Sequence, residues 1–488
     1  MAYLLGIDQG TTQTTAVVLD ESECVVARAS MPLATSFLRP GCVEQDPWDI
    51  LNSVRNTVDA VVADYPIAAV GLANQGETFL LWDAATGQPL TPAIVWQDKR
   101  GEAVCQRLAS QVDPAWLQRK TGLVLDTYFS APKLHYVLHS TPALHQAAGD
   151  GRLRFGTLDS WLIWQLSNGR VHITDPSTAS RTMLFNINTL SWDDDLLALF
   201  DIPRVILPDV CPSAGYVGNL DFGGGRAFPL HSLLVDQQAA LFGQACFMPG
   251  EMKCTLGTGS FLLMNTGGTP QLSGHRLLTT VAWQLPAGVA YALDGGVFVS
   301  GAAVQWLADT LHLLPDVASS ARLAEEAIGS ELTFVPALAG LAAPYWLPDV
   351  RGALFGLTRA TTPADIARAT LEGIACRVYE VAAAMEKDAG FTIRHLKVDG
   401  GPTGNPYLMQ YLADLLGVDV WVAAERESTA IGIASLAGHA ALGTSLAELA
   451  ARWRAEAVYH PRMSQAEREE RLGRWQRAVA AVRCFHAG

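Results

Sequence analysis

Apolar positions along the chain follow two different periods. Tyr3-Leu4-Leu5-Gly6-Ile7 and the stretch from Thr15 to Leu19 are short, nearly continuous apolar runs, as expected of strands covered on both faces. After Asp46 the period changes. Asp46-Pro47 supplies a cap and a first turn, and Trp48, Leu51, Val54 and Val58 recur at helical spacing. The second half repeats the alternation: a strand pair around Lys253 to Met264, helices from Ala302 and from Ile366, a strand His395 to Val398, and a helix Tyr407 to Leu416. Near the end, Ser464 and Glu467 form a capping-box pattern before an amphipathic helix through Trp475, Val479 and Val482. Strands alternating with helices in this way predict an α/β fold.

Two short segments link the halves. Asp8-Gln9-Gly10-Thr11-Thr12-Gln13-Thr14 and Thr255-Leu256-Gly257-Thr258-Gly259-Ser260 are both Gly/Thr turns between β-rich segments, each near the start of its half. Singly, each reads as an ordinary hairpin. As a pair they suggest a duplicated domain whose two turns face each other across a cleft. A chain of 488 residues is more natural for two domains than for one. Met248-Pro249-Gly250 breaks the preceding helical pattern, so the expected domains are 1–245 and 246–488, with Gly223-Gly224-Gly225 a flexible loop inside the first.

Charge and cysteine usage narrow the class. With 34 basic against 48 acidic residues the net charge is -14, the wrong sign for affinity built on neutralising nucleic-acid phosphates. A small anionic ligand stays open, because backbone N–H groups bind phosphate whatever the global charge. The eight cysteines show no CxxC pair and no zinc-like spacing, and read as reduced thiols. The first residues lack the basic flank of a signal sequence, and no apolar run is long enough to cross a bilayer. A cytoplasmic protein with no membrane partner is expected.

Three turns carry candidate chemistry. Asp8 ends an apolar strand and is followed at once by Gly10, Thr11 and Thr12; this suits a metal-directed charge beside phosphate-binding donors, or equally an Asx-type turn. Asp236 ends the apolar run Leu233-Leu234-Val235 and precedes a helical stretch from Gln238 to Gln244. It is placed either to accept a proton from a substrate hydroxyl or to cap the helix. Val398-Asp399-Gly400-Gly401-Pro402-Thr403-Gly404-Asn405 is a glycine-rich turn on which a flat ring could lie, or a simple loop. Neither GxxxxGK[ST] nor GxGxxG occurs. His135 and His139 read as a helix face without a third zinc ligand, Ala343-Pro344-Tyr345-Trp346 as a packed corner, and Cys254 as a thiol without an activating partner.

Taken together, Asp8-Gln9-Gly10-Thr11-Thr12, Asn74-Gln75-x-Glu77-Thr78, Val95-Trp96-Gln97, Asp126-x-Tyr128-Phe129-Ser130, Asp236-Gln237-Gln238-Ala239-Ala240, Gly257-Thr258-Gly259 and Val398-Asp399-Gly400-Gly401 closely resemble the glycerol kinases of the FGGY carbohydrate kinase family. So do Phe155 to Trp164 and Ala179-Ser180-Arg181-Thr182-Met183-Leu184-Phe185-Asn186. The resemblance implies two actin-like (ribonuclease H-like) ATPase domains flanking a catalytic cleft. It implies ATP and Mg²⁺ as cofactors, a small polyol or sugar as substrate, and a homodimer or homotetramer. By the same resemblance Asp236 is the general base and Asp8 helps hold the metal. Thr11, Thr12, Gln13, Thr258, Gly301, Gln305, Gly400, Gly401 and Asn405 fall on the ATP site. Gly76, Glu77, Trp96, Tyr128, Asp236, Gln237 and Phe261 fall on the polyol site.

The chain departs from the family pattern at a few positions. Gly76 stands where the family carries an arginine that binds a terminal hydroxyl, which removes charge-assisted hydrogen bonds worth roughly 1.5–3 kcal/mol each and is expected to open volume. Thr15 replaces a basic residue near the phosphates, Val235 a glycine and Pro406 an asparagine. Two catalytic readings follow: glycerol phosphorylation with Lys99 or Arg100 in compensation, or phosphorylation of a tetritol, pentitol or ketose that fills the space at Gly76. A third, a non-catalytic sensor on the same fold, sits poorly with retention of Asp236. An arginine restored at 76 is expected to favour glycerol over any longer substrate.

Overall fold

The computed structural model describes residues 2–327 and 331–486. Two large mixed sheets organise it. The first runs Ala214–Asp221, Ala227–Val235, Ile67–Asn74, Tyr3–Gln9, Gln13–Leu19, Val25–Pro32; the second runs Leu278–Leu285, Gly288–Val297, Ser260–Gly267, Met252–Leu256, His395–Asp399, Asp419–Ala423, Ala455–Tyr459. Each contains the same local unit. Tyr3–Gln9 turns through Gly10-Thr11-Thr12 into antiparallel Gln13–Leu19 and has Ile67–Asn74 parallel on its other side. Met252–Leu256 turns through Gly257-Thr258-Gly259 into antiparallel Ser260–Gly267 and has His395–Asp399 parallel on its other side.

The strands are apolar because both faces are covered. Leu5, Ile7, Val18, Val70 and Leu72 pack on the helix Pro47–Val62, whose cap Asp46 accepts a hydrogen bond from the Trp48 N–H at 2.7 Å. The opposite face of the first sheet meets the helix Ser428–Leu442, which comes from the far end of the chain. Leu4, Val17 and Ala69 pack there against Ala430, Ala434 and Ala437. The approach is close enough to need glycine: a Cβ on Gly6 would overlap Ala430 O, and one on Gly71 would overlap Ile433 O. In the second sheet, Cys254, Leu262, Leu293 and Leu396 pack on the long helix Pro363–Ala389, opened by a Thr362/Asp365 capping box.

The expected helices occur at Gly301–Asp309, Pro363–Ala389, Pro406–Leu416 and Gln465–His486, the last burying Trp475, Val479 and Val482. Gly223-Gly224-Gly225 forms the tip of the hairpin between Ala214–Asp221 and Ala227–Val235, with all three glycines at positive φ. A smaller five-stranded sheet, with Cys42–Gln45, Ala93–Ile94, Phe79–Asp83 and Leu153–Thr157 among its strands, stands beside the first and carries the loops that follow residues 75 and 94. Among the described residues, no helix is long and apolar enough to cross a membrane.

Candidate active site

Strand register gathers the site. Tyr3–Gln9, Ile67–Asn74 and Ala227–Val235 are parallel neighbours with Gln9 opposite Asn74 and Val235 opposite Asn74, so all three end at one edge. The residues that follow, Gly10-Thr11, Gln75 to Glu77 and Asp236, therefore meet where an open α/β sheet binds its ligands. Val235 is the helix cap, so Asp236 is the first residue of the helix Asp236–Gly243; its Oδ1 accepts the Gln237 N–H at 2.7 Å. Burial, then the negative Glu77, push the Asp236 carboxyl up to about 7, against the pull of the Gln237 N–H, Lys253 and Arg181. A carboxylate poised near neutrality suits proton abstraction from an alcohol.

A cavity of about 120 Å³ opens beside Asp236. Gly76, Glu77, Trp96, Tyr128, Asp236, Gln237 and Phe261 all line it, so the structure brings every residue expected at the polyol site together. Thr11, Gln75, Arg181, Val235, Gln238 and Asp294 complete the lining. Trp96 stands edge-on to Tyr128, with centroids 5.5 Å apart, and to Phe261, 6.4 Å apart. These rings make an apolar wall for C–H groups. Trp96 Nε1 also donates to Thr11 Oγ1 at 2.9 Å, and Thr11 Oγ1 donates to Gln75 Oε1 at 3.1 Å, so the first Gly/Thr turn and this wall form one network. Below it, the buried Lys133 donates to the Val95, Trp96 and Tyr128 carbonyls at 3.1–3.3 Å.

Arg181 is a cation on the cavity wall, and its contacts were not visible in the sequence. Its Nε donates to Glu77 Oε1 at 2.7 Å and its Nη1 to Asp294 Oδ2 at 2.8 Å, all three side chains being buried. Nη2 has no hydrogen bond among the described residues. The expected substitutes lie elsewhere. Arg100 is held by Asp98 and Glu44 at 2.6–2.8 Å and Lys99 is exposed; neither lines the cavity. Gly76 also fails to open the space expected of it: a Cβ there would stand 2.6 Å from Val235 Cγ2. Sequence separation hid the Arg181 contacts, since Arg181 lies 104 residues from Glu77 and 113 from Asp294. Lys253 is a further buried cation at the site, donating to Gln237 Oε1 and, at 3.0 Å, to Thr255 Oγ1.

The residues expected around ATP fall into three places. Thr12 and Gln13 are exposed on the first turn. Around Thr258, the Ser300 N–H donates to the Thr258 carbonyl at 2.8 Å and the Gly301 N–H to the Gly257 carbonyl at 2.9 Å, so the second turn rests on the start of the helix Gly301–Asp309. Gly301 lies against Gly257 O and Pro402, while a Cβ on Gly401 would meet nothing within 4 Å. Gly400 takes φ +93 where a Cβ would overlap Leu256 O. Two side chains are engaged within the protein: Gln305 donates to Asp309, and Asn405 caps the helix Pro406–Leu416 while its Nδ2 donates to Ser320 Oγ at 3.1 Å.

Asp8 sits opposite Thr15 in the sheet register, and its Oδ1 is buried with no hydrogen-bond partner among the described residues. Burial, then Asp236 and Glu427, hold its carboxyl well above the usual range. Thr15 is itself satisfied by Ser30 Oγ at 2.9 Å and adds no charge. An orphaned carboxylate oxygen among acids is what a bound divalent cation would relieve, so the residues present fit Mg²⁺.

The sequences set aside fare differently. Tyr345 and Trp346 do pack as a corner, with Arg377 over the Tyr345 ring at 5.0 Å and Trp346 Nε1 donating to Arg276 O. The buried Cys254 thiol is pushed up by burial. His139, however, does have an acid and another histidine beside it: Nε2 lies 2.9 Å from Asp201 Oδ2, and His145 Nε2 3.8 Å from the same oxygen. Asp201 follows in the chain by 62 residues, which is why the spacing of His135 and His139 gave no sign of it. All three are exposed.

Two sheets with the same hairpin, and a carboxyl pushed up to about 7 beside a small cavity of mixed polar and aromatic lining, are what a two-domain α/β kinase acting on a sugar or polyol would need. Residues 3–243 match the N-terminal domain and residues 252–441 the C-terminal domain of the FGGY family of carbohydrate kinases, and the chain belongs to that family. It is similar to a glycerol kinase of Stenotrophomonas maltophilia (strain R551-3), 46% identical over 99% of both chains. A glycerol kinase of Aromatoleum aromaticum is 48% identical, again over 99% of both. Among solved structures, the Plasmodium falciparum glycerol kinase with ADP superposes with a TM-score of 0.92 at 33% identity, covering 99% of this chain and 98% of that one. The chain is an ATP-dependent sugar or polyol kinase.

Proposed function

We propose that the enzyme transfers the γ-phosphoryl group of ATP to a terminal hydroxyl of glycerol, giving ADP and glycerol 3-phosphate. The observation that carries this reading is the Asp236 carboxyl, pushed up to about 7 on the wall of a cavity that also holds Glu77, Arg181 and Gln237. A neutral alcohol is a weak nucleophile, so the transfer needs in-line positioning, charge neutralisation and a base. Asp236 takes the hydroxyl proton as the new O–P bond forms and the bond to the leaving ADP oxygen breaks. Glu77 and the Arg181 Nη2 offer an acceptor and a donor to the other hydroxyls. Trp96 and Phe261 cover the carbon chain and keep water from the phosphoryl group. Thr11, Thr12, Gln13, Thr258 and Gly401 offer polar groups to the nucleotide, and Gly301, whose own N–H is held by the Gly257 carbonyl, leaves room beside them. Asp8 would help hold Mg²⁺, which would neutralise phosphate charge there.

The names of the relatives support glycerol as acceptor, and the filled space beside Gly76 removes the reason to prefer a longer one. The family resemblance alone supports a homodimer or homotetramer and a cytoplasmic location. A coupled ADP assay over glycerol, erythritol, threitol and xylitol tests the acceptor. Glycerol is expected to give the highest kcat/KM; ADP release that no polyol stimulates would overturn the reading.

A further inference from the structure

Gly76 is buried and its φ is not positive, so no backbone requirement explains the glycine. Its neighbours do. A Cβ at this position would stand 2.6 Å from Val235 Cγ2, 3.4 Å from Arg181 Cγ and 3.8 Å from Arg181 Cβ. Carbon atoms pack best at roughly 3.5–4.0 Å, so only the valine contact is prohibitive. Val235 has little freedom to yield. It ends the strand Ala227–Val235, caps the helix that begins with Asp236, and its N–H donates to Ser177 Oγ at 3.0 Å. It is 2% exposed, and a β-branched side chain is stiff about its first torsion. On the other side Arg181 is clamped by Glu77 and Asp294.

We propose that Gly76 and Val235 are a matched pair that sets acceptor specificity: Val235 takes up the volume that a side chain at 76 would use and closes that wall of the cavity with a methyl group. The extra carbons of a tetritol or pentitol then find no room beside Gly76, and the cation that meets the acceptor comes from Arg181 instead. This rests on the polyol kinase function proposed above and reverses the sequence expectation that Gly76 leaves an opening. It also changes what an arginine at 76 should do. Gly76→Arg alone is expected to clash with Val235 and lose both thermal stability and glycerol turnover, and Gly76→Arg with Val235→Gly to recover both.

Two measurements separate the pairing from the function. In a thermal unfolding cycle of Gly76→Ala, Val235→Ala and the double variant, Gly76→Ala is expected to lower Tm in the wild-type background and to change it little in the Val235→Ala background. Additive Tm changes overturn the pairing. In kinetic assays, Val235→Ala is expected to raise the erythritol-to-glycerol ratio of kcat/KM by about tenfold, the low end of discrimination by one methylene. An unchanged ratio in an active enzyme overturns the role in specificity. A wild-type protein inert to every polyol overturns the proposed function and leaves the Tm cycle to decide the pairing.

Discussion

The Asp236 carboxyl loses water on burial and faces Glu77, and both effects disfavour its charged form. Asp236 as the proposed base acts in that form, so log kcat/KM is expected to rise with unit slope as pH approaches about 7 and to level off above it. A profile flat from pH 5 to 8 would contradict this. The same shift has a stability consequence of definite sign. Between the ordinary aspartate value of 3.8 and about 7 the folded chain keeps a proton that the unfolded chain has lost; the stability this gives is lost as pH rises through about 7. Asp236→Asn is neutral at every pH, so it is expected to raise Tm at pH 8, with the gain vanishing below pH 4; thermal melts across pH check it. Arg181 carries the opposite expectation. Arg181→Ala leaves Glu77 and Asp294 buried without their partner and is expected to cost about 3–5 kcal/mol in chemical denaturation. That the residues expected at the polyol site share one cavity was foreseeable because most of them lie in short motifs, with Phe261 two residues past one. Arg181 was quoted within such a motif, yet its role depends on contacts with Glu77 and Asp294 that only the fold creates.

At the level of elements, apolar runs and caps were enough to foresee most strands and helices near the site. The strand at Tyr3, the Asp46-capped helix, the strand at His395 and the helix before Leu416 all form. The two Gly/Thr turns proved to be matching hairpins, each beside a parallel strand. What the pattern could not reveal is the partner of the first sheet. The helix Ser428–Leu442 is apolar nearly all round, and nothing in its period says that it packs on strands more than 350 residues earlier. The sign was in the glycines: Gly6 and Gly71 sit in strand interiors where they cost stability unless another backbone comes close. Gly71→Ala should therefore push that helix off the sheet, with a fall in Tm; an unchanged melting curve would mean the helix is free to move.

The cleft makes the whole molecule the catalytic unit. Asp236, Glu77 and Trp96 come from the first half of the chain, Phe261 and Asp294 from the second, and all five line one cavity. Phe261→Ala should accordingly raise the KM for the polyol well before that for ATP, since the ring faces Trp96 across the cavity; equal changes in both would place Phe261 elsewhere in the reaction. The account as a whole stands on one residue. Glycerol-dependent ADP release by the wild type and by Asp236→Asn, measured side by side at pH 8, tests it most directly. The wild type is expected to turn over and the variant, still folded by its melting curve, to lose about 10²–10⁴-fold in kcat. A folded Asp236→Asn enzyme with near wild-type turnover would contradict the account.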